Sequence, residues 1–254
     1  MTLTVTGVPL VTYLLASLRI IAWLFVVPPF SLKTIPVASR IVMSLGLAFA
    51  VGTRLTTGVP SGMVELAITA VTQVFIGLAM GFVTYLLFEA VTAAGSLIDV
   101  FGGFSLASAF DPLTLNQNSV FGRFHQMLMV MLLFATGGHL IVIGGMLKSF
   151  DVLPVGDSPV LTSAPDVLNT AFSMFFLTAV QIAMPMIAVM FLADMSLALL
   201  TKVAPQLNAI QVMFPAKIGL TLLLIGLSFP VLPEAVNRIV DLAGQAMSTL
   251  VTGS

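Results

Sequence analysis

Residues 63–101 read MVELAITAVTQVFIGLAMGFVTYLLFEAVTAAGSLIDVF, 39 residues without a proline and with only Glu65, Glu89 and Asp99 charged. As one α-helix at 1.5 Å per residue, this stretch would reach about 58 Å. The hydrocarbon core of a bilayer is about 30 Å thick. The block is therefore too long for one span and leaves little room for two spans and a turn. Tilt cannot absorb a near twofold excess. Residues 166–203 pose the same problem, with Pro185 inside the block. Each block either folds back as a tight hairpin or rises out of the bilayer into a protein assembly. The first would bend near Gly77 or Gly81, the second at Pro185.

Four further apolar blocks surround these two. They cover residues 8–27, 35–51, 123–147 and 209–231, and an amphipathic piece follows at 234–251. Of the 254 residues, 59% are hydrophobic and only 7% charged. The mean hydropathy is +1.15. Soluble domains carry about 25% charged residues, so lipid or neighbouring subunits must cover much of this surface. The sequence predicts an all-α, polytopic membrane protein of about six helical blocks. A net charge of −1 and the lack of basic runs give no sign of nucleic-acid binding. Cysteine is absent, which excludes disulfides and thiolate chemistry. The first block lacks the basic start of a secretory signal and reads as a retained helix.

Orientation is weakly encoded. Lys33 and Arg40 mark the first connection, Lys202 and Lys217 flank the last, and Asp151, Asp157 and Asp166 make the 151–165 loop acidic. The positive-inside rule then places the first and last connections in the cytoplasm. An even number of spans would leave both termini outside.

Several polar residues lie inside apolar blocks: Arg19, Arg40, Gln73, Glu89, Asp99, His139, Gln181 and Asp194. A charge at mid-membrane costs about 2.5–3.5 kcal/mol on insertion scales. Arg19, Arg40, Glu89, Asp99 and Asp194 fit either of two roles. They pair between helices or subunits, Arg with Asp or Glu, or they form an ion relay or the coupling site of a secondary transporter. Pairing is the more economical reading, because the carboxylates are not clustered. Glu89 and Asp99 point about 80° apart on one helix. His125 is expected at a helix end and His139 in a hydrogen bond within the bundle.

Gly77 and Gly81 form a GxxxG motif, which lets two helix backbones approach closely. The pairs Gly102-Gly103, Gly137-Gly138 and Gly144-Gly145 offer hinges or close contacts. Residues 104–122, FSLASAFDPLTLNQNSVFG, mix Ser, Asn and Asp-Pro with Phe104, Phe110 and Phe121. That is too apolar for an idle solvated loop, and such a segment either lines a passage or serves as a hydrophobically anchored connection. Phosphate-binding GxxxxGK[ST], HExxH and GxSxG motifs are absent from the sequence. No enzyme active site or cofactor is expected.

In order along the chain come Arg19 to Pro36, ending in PPFSLKTIP, then Ala94-Gly95-Ser96-Leu97-Ile98-Asp99, then Phe110-Asp111-Pro112. Gly138-His139-Leu140, Leu153-Pro154-Val155-Gly156 and Ala204-Pro205-Gln206-Leu207-Asn208 follow. In this order the chain resembles the FliR family, the flagellar member of the type III secretion export-gate proteins (SctT-type), over nearly its whole length. The resemblance implies one FliR-type membrane domain over residues 1–254. It implies a multi-pass subunit of the inner membrane and flagellar basal body, assembled with FliP-like and FliQ-like subunits and contacting an FlhB-like protein. Unfolded flagellar subunits would pass through that gate. Family helices stack partly above the membrane plane, which would accommodate the two overlong blocks. The family's channel plug maps by position onto residues 104–122. There Phe104, Ser105, Phe110, Asp111, Pro112, Asn116, Asn118 and Phe121 become plug candidates. Arg19, Arg40, Gly77, Gly81, Glu89, Asp99 and Asp194 become packing or charge-pairing candidates. No cofactor or nucleic acid is implied; membrane lipid is the remaining partner.

Overall fold

The computed structural model describes residues 7–52, 62–105, 119–157, 164–204 and 209–252. Among these the fold is all-helical. The helices are α1 (Gly7–Val26), α2 (Val37–Gly52), α3 (Met63–Gly102) and α4 (Val120–Ala135). They continue with α5 (Gly138–Val152), α6 (Ala164–Val203), α7 (Ala209–Ser228) and α8 (Leu232–Thr252).

The two overlong blocks are single helices of 40 residues each, α3 and α6, about 60 Å long. Neither folds back as a hairpin. Gly77 and Gly81 remain helical and serve instead for a close approach to α1. Pro185 removes the N–H that would bond to the Gln181 carbonyl, but Gln181 and Pro185 lie on the exposed side of the helix, which runs on through them. The apolar block at 123–147 does break, into α4 and α5. Thr136 N–H closes α4 on the Leu132 carbonyl at 2.8 Å, and Gly137 adopts a left-handed φ of +75°. Only glycine takes that conformation without strain.

The described chain divides into two compact units. Residues up to Leu87, 137–172 and from Ile239 onward form the first; residues 88–136 and 173–238 form the second. Within the first, α1 and α2 pack along each other. Tyr13 stacks on Phe49 at 6.0 Å between ring centroids, and Arg40 lies over Phe25. Those pairings run in opposite senses along the two helices, so the hairpin is antiparallel. A second cluster joins Val83 and Leu86 of α3 to Val167 and Ala171 of α6. Ala246 and Leu250 of α8 pack against it. In the second unit the core is Ala94, Ile98, Phe121, Ala183, Met186, Met190 and Ile225.

The amphipathic reading of the C-terminal piece holds in α8. Leu232, Val236, Ile239, Val240, Ala243, Met247 and Val251 are buried, while Glu234, Asn237, Arg238, Asp241, Gln245 and Ser248 are exposed. The long helices behave differently. By length and composition α3 and α6 can each cross a membrane, yet only 33% and 22% of their most apolar windows are buried within the chain. Two further helix pairs, α4 with α5 and α7 with α8, qualify only when each is counted as one broken span. Phe176, Leu177, Phe191, Leu192 and Leu199 all face outward from α6. Lipid or other subunits must cover that surface.

The α1–α3 approach yields a test. A Cβ built on Gly77 would run into the Arg19 carbonyl oxygen and come within 3.0 Å of Ala22 Cβ, whereas one on Gly46 meets nothing within 4 Å. Gly77→Val is expected to destabilise the detergent-purified protein by about 2 kcal/mol. Gly46→Ala is expected to be neutral or to stabilise α2 by up to about 1 kcal/mol. Thermal melts of the two variants side by side check this; equal melting temperatures would contradict it.

Candidate functional site

Two polar constellations interrupt the apolar interior, one in each unit. The first centres on Arg19, which is fully buried in α1. A bare guanidinium there would be very costly. Its Nε donates to Gln73 Oε1 at 2.7 Å. Its Nη1 donates to the Ser149 hydroxyl at 3.2 Å and more weakly to the Ser149 carbonyl at 3.4 Å. Its Nη2 donates to the Leu153 carbonyl at 3.0 Å. The guanidinium carbon also lies 4.2 Å from the centroid of the Phe150 ring, in cation–π contact. Ser149 and Leu153 stand at the C-terminus of α5, where unpaired carbonyls gather partial negative charge. Gln73 completes the node by donating Nε2–H to the Val155 carbonyl at 2.8 Å. One charge thus ties α1 to α3, to the end of α5 and to the Leu153–Val155 turn.

The second constellation holds the two described ends of the 104–122 stretch. At the end of α3, Gly103 adopts a left-handed φ of +83°. Its N–H donates to the Val100 carbonyl at 3.4 Å, and the Phe104 N–H donates to the Asp99 carbonyl at 3.0 Å. This is a Schellman stop, which glycine favours. At the start of α4, Ser119 Oγ accepts from the Gly122 N–H at 2.7 Å as an N-cap. The buried Asp99 carboxylate accepts from the Phe121 N–H at 3.2 and 3.3 Å. Its negative charge therefore meets the positive end of the α4 dipole. The Phe104 and Phe121 rings meet edge to face at 4.8 Å. A Cβ on Gly95 would strike the Phe121 carbonyl, so only glycine there lets α3 and α4 come this close. His125 is fully buried, and its Nδ1 lies 2.8 Å from the Phe121 carbonyl. A carbonyl only accepts, so Nδ1 carries the proton.

The remaining candidates are dispersed. Arg40 is buried, with Nη2 donating to the Leu32 carbonyl at 2.7 Å. Asp194 of α6 pairs with Lys217 of α7, the Nζ lying 2.7 Å from Oδ1. Lys217 is the ninth residue of α7, within the block that starts at Ala209. Glu89 is half-buried on α3, and Gln181 is exposed on α6. His139 stands in the first turn of α5. Phe104, Ser105 and Phe121 are described, with Ser105 exposed; Phe110, Asp111, Pro112, Asn116 and Asn118 lie outside the described residues. Arg19 and Arg40 take carbonyls, amides and aromatic faces where the sequence suggested carboxylates. Arg40, the Asp194–Lys217 pair and the Asp99 constellation have separate partners. Among the described residues, no three His, Asp or Glu side chains gather as a metal site would require.

The comparisons decide the family. Residues 10–243 match the model of the bacterial export proteins, family 1. The chain belongs to this family, the FliR family of type III secretion. Flagellar biosynthetic protein FliR of Escherichia coli (strain K12) is 30% identical over 243 residues, covering 94% of this chain and 93% of that protein. FliR of Aquifex aeolicus (strain VF5) is 30% identical over 225 residues, covering 88% and 87%. Yop proteins translocation protein T of Yersinia pestis is 28% identical over 222 residues, covering 85% of each. This FliR-family chain is a component of a type III export apparatus, with a structural and transport role.

Within this export protein, sequence reasoning missed the partners of Arg19. Nothing in the spacing of Gln73, Ser149 and Leu153 announces that they converge. The apolar block was expected from Arg123, but α4 starts three residues earlier at Val120, and Ser119 before an apolar run is the N-cap signal that could have placed it. Arg19→Met is expected to destabilise the protein by at least about 3 kcal/mol, since it strands buried acceptors on three elements. Arg19→Lys is not expected to restore it, because an ammonium lacks the planar fork that reaches all three. Melts in detergent check both, and a wild-type melting temperature for Arg19→Lys would refute the fork argument.

Proposed function

We propose that this chain is the FliR-type subunit of a flagellar type III export gate in the bacterial inner membrane, at the flagellar basal body. With FliP-like and FliQ-like subunits it forms the channel through which unfolded flagellar subunits leave, and it contacts an FlhB-like protein. The observation that carries this reading is the uncovered apolar length of α3 and α6. Helices of about 60 Å exceed what one bilayer can cover, so part of that surface is reserved for other proteins. The charged residues support the same reading. Arg19, Asp99 and Asp194 are each held by partners within the chain, which suits a scaffold better than a transporter's coupling site.

Gating in this reading involves no bond chemistry. The 104–122 loop lies across the closed passage and excludes water and ions by packing its Phe residues. Displacement of the loop opens the path. Asp99, Gly103 and the Phe104–Phe121 contact fix where the loop leaves α3 and re-enters α4. Energy for transport comes from other components of the apparatus.

Co-expression with FliP-like and FliQ-like subunits is expected to yield one complex in mild detergent. Recovery of this chain as a monomer under those conditions would overturn the assembly. Within that complex, deletion of residues 104–117 is expected to raise ion conductance in planar bilayers. Conductance unchanged from the intact complex would rule out the plug role while leaving the assembly standing.

A further inference from the structure

The outward side of α3 changes character along its length. Residues three or four apart stay on one side of a helix. On that side Val71, Phe75, Leu78 and Phe82 are large, apolar and exposed. Tyr85, also exposed, ends the apolar run. The same side continues through Glu89, Thr92 and Ser96, all half-buried, with only Ala93 between them. Exposed Val100 follows one turn later.

A carboxylate on that side needs a counterpart. Glu89 hydrogen-bonds with the Thr92 side chain, and Ser96 Oγ donates to the Thr92 carbonyl at 3.2 Å. No Lys or Arg pairs with Glu89 among the described residues. Asp99 provides the contrast, since it is buried and matched by the start of α4. A hydroxyl does not neutralise a carboxylate, and acyl chains against it would cost about 2.5–3.5 kcal/mol on insertion scales. Water removes that cost, and an ionisable side chain on an apolar helix marks where the helix borders a water-filled path.

The polar part of the stripe also leads to the loop. A Cβ built on Gly122 would lie 2.7 Å from Ser96 Oγ and 2.6 Å from Ser119 Oγ. Ser96 therefore stands beside the start of α4, where the 104–122 segment re-enters the helical fold.

We propose that Glu89, Thr92 and Ser96 line the water-filled passage that the 104–122 loop closes, and that the Glu89 carboxylate makes this passage prefer cations. The assignment rests on the gate-and-plug reading above. Glu89 supplies a fixed negative charge, as carboxylates do in cation pores. Thr92 and Ser96 keep the wall wetted between that charge and the loop.

The sequence has no cysteine, so a thiol introduced into this chain is unique within it. Thr92→Cys and Ser96→Cys, both close to isosteric, are made alongside Phe75→Cys and Leu78→Cys, each in the complex with FliP-like and FliQ-like subunits. A membrane-impermeant methanethiosulfonate is applied, and labelling of this chain is followed by mass. Thr92→Cys and Ser96→Cys are expected to react at least about tenfold faster than the two apolar positions, because the reactive thiolate forms in water. Equal rates at all four positions would overturn the proposal. So would labelling of Thr92→Cys and Ser96→Cys in the isolated chain but not in the complex, which would assign the stripe to a partner subunit. Recovery of the complex checks the assembly separately, and labelling does not depend on deleting the loop. In the complex lacking residues 104–117, Glu89→Gln is expected to lower the cation-to-anion permeability ratio about fivefold, the effect of one nearby charge in water. Raised conductance with a reversal potential that Glu89→Gln leaves unchanged would refute the role of Glu89 while leaving the plug standing.

Discussion

A guanidinium sealed inside an apolar chain has to be neutralised where it lies, and that requirement sets the geometry around Arg19. Its acceptors come from the end of α5, from Gln73 of α3 and from the turn after α5. These groups can be supplied only if α1, α3 and α5 stand at one register. The register also brings Gly77 against the Arg19 carbonyl and Gly81 so near Val26 that a Cβ there would lie 3.0 Å from Val26 Cβ. A side chain at Gly77 would push α3 away from α1 and lengthen the Arg19–Gln73 bond. The polar node and the small-residue contact therefore depend on each other: the glycine permits the approach that the arginine needs.

The Asp99 constellation solves the same problem with the opposite sign. A buried carboxylate is set against the first turn of α4, where N–H groups are unpaired. Neither charge relies on an oppositely charged side chain. Helix ends are covalently part of the fold and are already in place when the helix forms, so no second ion has to be desolvated. Lys217 and Asp194 do form a pair, and it lies nearer the surface, with part of Asp194 accessible. The deepest charges are thus matched by helix termini and the shallower ones by an ion pair, as the rising cost of desolvation with depth would favour.

Legibility in the sequence followed the range of the physics. Periodicity, length and proline content are local, so the long apolar blocks and the amphipathic α8 could be read directly. GxxxG at Gly77 and Gly81 was legible as a packing signal, though not its partner helix. The break at Gly137 was visible as a double glycine, but a hinge and a close contact look alike until φ is known. Arginine–carboxylate pairing was the natural expectation for Arg19 and Arg40, because side-chain charges are written in the sequence and carbonyls at helix ends are not. Ser149 and Leu153 contribute main-chain oxygens that any residue could supply, so no composition argument could have found them.

The same distinction separates Arg40 from Arg19. Both are buried in the α1–α2 hairpin or beside it, and both lie over an aromatic ring. Arg19 faces a helix C-terminus and is satisfied there. Arg40 sits in the first turn of α2, where the dipole is positive and offers it nothing. Its one protein acceptor is a loop carbonyl, and its Nε is left over. An arginine at the wrong end of a helix is a poor stabiliser of that helix by itself. Arg40 is therefore left partly unmatched inside the chain, the opposite of the self-contained node that Arg19 builds.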